Sequence, residues 1–343
     1  MDDRNINIFR RTKIRLLFWG ISLLGVYGGG MSSANAGGFL SMLQGISNWV
    51  RIHITGKLVR GIVNQYGVGL PNLGASCYIN SALQVLFSIQ QLKEYILARR
   101  YWDPAMDGLR KLFIHMNEKN IDTDILRQPY EQLGYRNRQE DCAEFMAKLF
   151  EKLKETSPTL WYLFTYDVQT DISSENLNYR NQTFEHDQTI HLLPISLDLR
   201  ENSIPRVLNR IYCQPETIEG FEVSRDRRGP AVRHQKIAHV PEYMLFQICR
   251  FDYSGGKLFF EFEAPDILNM QPYCTSNVGN VSMELIGIIV HRGDNIEHGH
   301  YFVLIKNNQG KWIKYSDNRI YVHERKLEWN ETPYILLYHK LGQ

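Results

Sequence analysis

The sequence predicts an α+β domain, on two observations. Between residues 77 and 160, apolar residues recur at helical spacing with few glycines, whereas from about residue 184 onward short apolar stretches alternate with turn residues. Helices first and strands afterwards, without regular alternation, argue against a βαβ repeat. In the helical half, Ile79, Leu83 and Leu86 share one face of a helix that starts at Cys77, and Phe145, Leu149 and Leu153 share the face of another. In the second half, four stretches read as strands: 243–248, 285–290, 301–305 and 334–338. Asn307-Asn308-Gln309-Gly310 reads as a turn joining the third of these to a segment from Lys311 to Asn318.

The composition narrows the function. With 43% hydrophobic and 22% charged residues, the 343-residue chain is expected to fold around a sizeable core rather than stay disordered. A net charge of +2 is too small for a nucleic-acid binder that relies on a basic face. The cysteines, at 77, 142, 213, 249 and 274, form no Cys-x-x-Cys knuckle and are odd in number. Free thiols, a reducing compartment and no bound metal or cofactor are expected.

Residues 1–36 read differently. Arg4, Arg10, Arg11, Lys13 and Arg15 precede an apolar run from Leu16 to Tyr27, and Ala34-Asn35-Ala36 offers small residues where a signal peptidase cuts. The run falls short of the roughly 20 residues that span a bilayer. A cleaved export signal is expected, with an uncleaved membrane anchor as the competing reading. Residues 37–66 form a linker whose apolar positions 39, 42, 43, 46, 49 and 50 line one helical face. That face is expected to dock on protein, because the segment carries no charge before Arg51. The rest, 67–342, reads as one domain without repeats or low-complexity runs.

Three segments carry the chemistry. The first, from Gly69 to Ser81, is a Gly- and Pro-containing loop that runs into a helix with Cys77 at its start. There the unpaired N–H groups and the dipole are expected to lower the thiol pKa, as a nucleophile requires. A buried, inert cysteine is the plainer alternative. The second, from His291 to Tyr301, offers histidines 291, 298 and 300 before a strand. His298 and His300 would make a metal pair only if the strand began at 298, and no third ligand stands nearby, so acid–base chemistry is favoured. The third ends in Ser316-Asp317-Asn318, which hairpin pairing would bring beside His300 to orient its ring.

Together these segments resemble the ubiquitin-specific proteases, a family of papain-like deubiquitinating cysteine peptidases. The cysteine box is matched by Gly69 to Gln84, the second box by Gln139 to Phe145, and the strand ending in Arg250-Phe251 by Pro241 to Phe251. The histidine box is matched by His291 to Tyr301 with Trp312 to Asp317, and the closing strand by Tyr334 to Tyr338. Five motifs in order are far more specific than any one of them. The resemblance implies a helical thumb, a β-sheet palm and fingers, and ubiquitin and ubiquitinated proteins as partners. It implies Cys77 as nucleophile, His300 as general base and later acid, and Asn72 as an oxyanion donor with the Cys77 main chain. Asp141 would meet the arginine-containing tail of ubiquitin, and Tyr301 would line the channel for its Gly-Gly end.

Two departures stand out. Most relatives carry four zinc-binding cysteines in the fingers, where this chain has only Cys213, so reduced or metal-free fingers are expected. The orienting acid aligns with Ser316, and the carboxylate follows at Asp317. Ser316 is expected to face His300, and Asp317 to act indirectly by holding a water or an amide near the oxyanion site; a solvated turn residue is the alternative for Asp317. Two other functions stay open: a peptidase for another modifier ending in Gly-Gly, and a catalytically silent ubiquitin-binding module.

Overall fold

Helix starts in this chain are written in short polar residues. Asp103, Asp122 and Asp141 each accept a main-chain N–H from the first turn of the helix that follows, and Ser203 does the same. The computed structural model describes residues 67–194, 202–251, 256–295, 298–323, 327 and 331–342. The export signal or anchor (1–36) and the linker (37–66) lie outside the described residues. Among the described residues, no helix is long and apolar enough to cross a membrane.

The helical half comprises α1 (Cys77–Ser88), α2 (Gln90–Leu97), α3 (Pro104–Glu118), α4 (Thr123–Gln132), α5 (Cys142–Thr156) and α6 (Pro158–Trp161). Strands follow: β1 (Tyr166–Ser174), β2 (Tyr179–Gln188) and β3 (Ile190–Pro194), then α7 (Ile204–Cys213), β4 (Glu216–Ser224), β5 (Arg227–His239), β6 (Tyr243–Cys249) and β7 (Ile267–Asn269). The chain closes with β8 (Ser282–Arg292), β9 (His300–Lys306), β10 (Trp312–Ser316), β11 (Arg319–His323) and β12 (Pro333–Lys340). Strands thus begin at Tyr166, earlier than the apolar pattern suggests. The reason is that β1 and β2 are rich in polar residues and offer no continuous apolar run.

The main sheet runs β11-β10-β9-β8-β12-β6-β3, with β7 added to β8, and only its β3–β6 pair is parallel. Side chains on each strand alternate between its two faces. Tyr301, Val303 and Ile305 of β9 join the core under the helices, while Phe302 and Leu304 join the core on the α7 side. β10 divides in the same way, with Ile313 and Tyr315 on the helix side and Trp312 on the other.

A second, four-stranded antiparallel sheet, β2-β1-β5-β4, corresponds to the fingers. Its outer strands approach each other, for Tyr179 of β2 and Phe221 of β4 have ring centroids 5.3 Å apart. Leu177 packs where a Cβ on Gly229 would lie, 3.5 Å away, and its carbonyl accepts from Arg227. All five cysteines are free thiols. Among the described residues, no group of three or more His, Cys, Asp or Glu is arranged to hold a metal ion.

Candidate active site

The site forms where the loop before α1 meets the β10–β11 turn. Gly69 allows the meeting: a Cβ there would lie 2.5 Å from the main-chain oxygen of Asn318, so only a glycine fits without displacing backbone. Leu70 N–H then donates to the carbonyl of Asp317 at 2.9 Å. Asp317 itself has φ 53°, a left-handed conformation that aspartate tolerates better than most residues.

The loop from Asn72 to Ser76 spends most of its N–H groups within itself. Gly74 and Ser76 N–H donate to Asn72 Oδ1 (2.9 and 3.2 Å), Leu73 N–H donates to Ser76 Oγ (2.9 Å), and Ala75 N–H donates to Tyr135 Oη (3.3 Å). With Oδ1 accepting main-chain donors, the Asn72 amide can present only Nδ2 outward, and Nδ2 donates to Asp317 Oδ2 at 3.0 Å. One Nδ2 hydrogen remains beyond that bond. Asp317 Oδ1 accepts from Asn80 Nδ2 (2.6 Å), and Asn80 Oδ1 accepts from the fully buried Tyr130 hydroxyl (2.5 Å). The Asp317 side chain is only 15% exposed, so it is a clamp between two amides rather than a solvated turn residue. Asn80 and Tyr130 were not singled out in the sequence. For Asn80 a signal exists: it lies three residues after Cys77, and hence on the same helical face.

Cys77 is buried at the start of α1, where the main-chain N–H groups of Tyr301, Tyr78 and Cys77 itself pull its pKa down. Burial, aided by the Asp317 charge, outweighs them and pushes the thiol above its ordinary value, with burial the larger cause. The helix-start position therefore does not give the lowered pKa expected from sequence. Desolvation of the thiolate exceeds what three N–H donors return.

His300 opens β9. Its Nε2 lies 2.8 Å from Ser316 Oγ, whereas Nδ1 is 3.9 Å from Asp317 Oδ2, beyond hydrogen-bond reach. Burial lowers its pKa, and Arg292 and Lys314 add to the effect against the opposing pull of Asp317. His298 lies before the strand and not in it; its N–H donates to Asn295 Oδ1 (2.8 Å). His291 is fully buried, and neither ring nitrogen has a partner. A Cβ on Gly299 would come within 2.5 Å of His291 Nε2, and Gly299 holds φ 153°, so this turn also requires glycine.

Asp141 caps α5, its Oδ1 accepting the N–H groups of Ala143 (2.6 Å) and Glu144 (3.2 Å), while Oδ2 accepts from the Tyr334 hydroxyl. It lines an open cleft of about 700 Å³ together with Ala75, Gln139, Glu144 and His298. Tyr301 is placed differently from the expectation that it lines a channel, because its ring is wholly buried and its hydroxyl has no partner. What Tyr301 contributes to the thiol is a main-chain effect that lowers its pKa.

The profile of the ubiquitin carboxyl-terminal hydrolase family matches residues 68–338. Two human relatives, ubiquitin carboxyl-terminal hydrolase 17-like proteins 5 and 6, are each 25% identical over 301 residues. The match covers 79% of this chain and 56% and 74% of those proteins, so the chain spans little more than half the length of the first. In fold, it is similar to a SAGA deubiquitinating module of Ubp8, Sgf11, Sus1 and Sgf73 bound to ubiquitin aldehyde (TM-score 0.67, 18% identity, 80% of this chain and 70% of that one). It is also similar to such a module bound to monoubiquitin (TM-score 0.69, 20% identity, 85% and 74%). A family match that runs from the loop before Cys77 to the closing strand encloses the whole of the site just described, and the chain belongs to the ubiquitin carboxyl-terminal hydrolase family.

Proposed function

We propose that this protein is a deubiquitinase, hydrolysing isopeptide bonds at the C-terminal glycine of ubiquitin with Cys77 as nucleophile. The observation that carries the reading is the convergence of one helix start and one strand start: α1, which opens at Cys77, packs against β9, which opens at His300, and the Tyr301 main chain lowers the thiol pKa. The relatives' family and the ubiquitin bound by the Ubp8 modules support it.

The chemistry follows from the hydrogen bonds. With Nε2–H donating to Ser316 Oγ, Nδ1 is the basic nitrogen and takes the proton of the Cys77 thiol. The thiol sits above its ordinary pKa and the imidazole below, so the resting pair is neutral, and proton transfer accompanies attack. Sulfur bonds to the glycine carbonyl carbon, and the oxyanion meets the Cys77 N–H and the remaining Nδ2 hydrogen of Asn72. The imidazolium gives its proton to the lysine amine as the C–N bond breaks, leaving a thioester. Water, deprotonated by His300, hydrolyses that thioester and frees ubiquitin and the thiol. Asp141 accepts three donors and has one lone-pair direction left for an arginine of the incoming tail.

Cys77→Ala is expected to abolish release of a fluorophore from the ubiquitin C-terminus while ubiquitin still binds; residual release would refute the assignment. A panel of ubiquitin and ubiquitin-like C-terminal probes separates this reading from a peptidase for another Gly-Gly-ending modifier, and from a silent binding module. For the N-terminus, we propose export or membrane anchoring through residues 1–36, with the catalytic domain working in a cytosol that contains ubiquitin. A mature protein beginning at Gly37 supports cleavage.

A further inference from the structure

Behind His300, on the α7 side of the sheet, lies a charge cluster that the mechanism above does not use. Lys314 and Glu331 form an ion pair, with side chains only 8% and 0% exposed. Burying two charges is costly even when they are paired, and such a pair stabilises a fold little compared with apolar residues of the same size. Its position is more telling. Lys314 is two residues before Ser316 on β10, so both side chains leave the same face of the strand as the His300 contact. The Lys314 ammonium lies 4.0 Å from the centroid of the Phe302 ring. That ring in turn lies nearly parallel to the His300 imidazole, at 6.4 Å and 28°. Arg292 pairs directly with His300 across β8 and β9; its guanidinium is 5.5 Å from the same Phe302 ring and 3.6 Å from Glu331.

We propose that the buried Lys314–Glu331 pair, acting across Phe302 and together with Arg292, is a positioning element that keeps His300 neutral and able to accept the thiol proton. The inference rests on His300 being the base in the function proposed above. The groups that act on the imidazole are Arg292 and His291 from β8, Lys314 and Ser316 from β10, and Asp317 from the turn. Asp317 pulls the imidazole toward protonation, while Lys314 and Arg292 oppose it. Because the third residue is a neutral serine, these fixed charges add to burial in keeping the base free against the pull of Asp317. Glu331 has the complementary task of holding the ammonium against the ring while limiting the field it exerts.

The test is an NMR titration of the His300 ring in the full chain carrying Cys77→Ala, which needs no turnover, alongside the pH profile of kcat/KM in the chain with Cys77 intact. Lys314→Met is expected to raise the His300 midpoint and the acid limb by about half a pH unit to one unit, as for one charge roughly 10 Å away in a partly screened site. Glu331→Gln is expected to move both the other way, and Lys314→Arg to leave them in place. A merely structural pair would lower thermal stability in both variants without opposite shifts. Arg292→Gln, at a half-exposed side chain, should also raise the midpoint and serves if Lys314→Met does not fold. An unmoved His300 midpoint in Lys314→Met or Arg292→Gln, or shifts of one sign in Lys314→Met and Glu331→Gln, overturns the proposal. The reading of His300 as base fails separately, if His300→Gln still hydrolyses ubiquitin conjugates at the parent rate.

Discussion

Asn72 and Asp317 act as a unit at the scale of single residues. The amide's oxygen is spent on the loop and one of its hydrogens on the Asp317 carboxylate, so removing Asn72 deletes the donor proposed for the oxyanion and removing Asp317 leaves that donor unheld. Asn72→Ala is expected to lower kcat about 10²–10³-fold with little change in KM. Asp317→Ala should cost a comparable factor, and the double variant little more than either single one, since the two losses are the same loss. Additive effects, measured on one ubiquitin substrate, would separate the roles. Ser316 makes a single hydrogen bond to Nε2, worth roughly 1–1.5 kcal/mol, so Ser316→Ala should lower kcat/KM about tenfold. Ser316→Asp should be tolerated or mildly activating, because a carboxylate also accepts the ring N–H and stabilises the imidazolium better. A silent Ser316→Ala would transfer the orienting role elsewhere.

Among elements, the contact that assembles the site is the one between the loop before α1 and the β10–β11 turn. At Gly69 it has no side chain to adjust, for a Cβ there would lie 2.5 Å from the main-chain oxygen of Asn318. Gly69→Ala is expected to destabilise the fold by about 1–3 kcal/mol, the range for overpacking, and to lower turnover more than this instability explains. The displaced turn carries Asp317 with it. Circular dichroism melts, compared with turnover at a temperature where the variant is fully folded, read the two effects apart. Full activity in the folded variant would mean that the clamp tolerates a shifted turn. Within the fingers, the outer strands meet through the rings of Tyr179 and Phe221.

For the whole molecule, His291 makes stability depend on acidity. Burial lowers its pKa from 6.5 to about 4, with Lys257 and His300 contributing. Between those values the unfolded chain binds a proton that the folded chain refuses, so unfolding takes up protons and acid favours it. The stability is intact above pH 6.5 and is lost progressively as pH falls toward 4. His291→Leu should therefore reduce the drop in Tm between pH 7 and pH 5, even if it changes Tm at pH 7. An equal drop in parent and variant would assign the acid sensitivity to other groups.

The amino-acid sequence determined whatever is periodic or local: the α1 and α5 helices, the β6, β8, β9 and β12 strands, and the hairpin turn at Asn307–Gly310. Each follows from spacing of 3.6 or 2 residues, or from a turn that its own residues impose. Among the elements that escaped, the reasons differ. The strands β1 and β2 are too polar to show a strand pattern, whereas α7 did carry a legible start in Ser203 and Pro205. Tertiary structure alone decided what depends on distant segments meeting. It made Asp317 a clamp between Asn72 and Asn80, enclosed the Tyr301 ring, and placed Lys314 and Glu331 behind His300. It also reversed the expected direction for Cys77, because a helix start is a local feature but desolvation depends on everything packed around the sulfur.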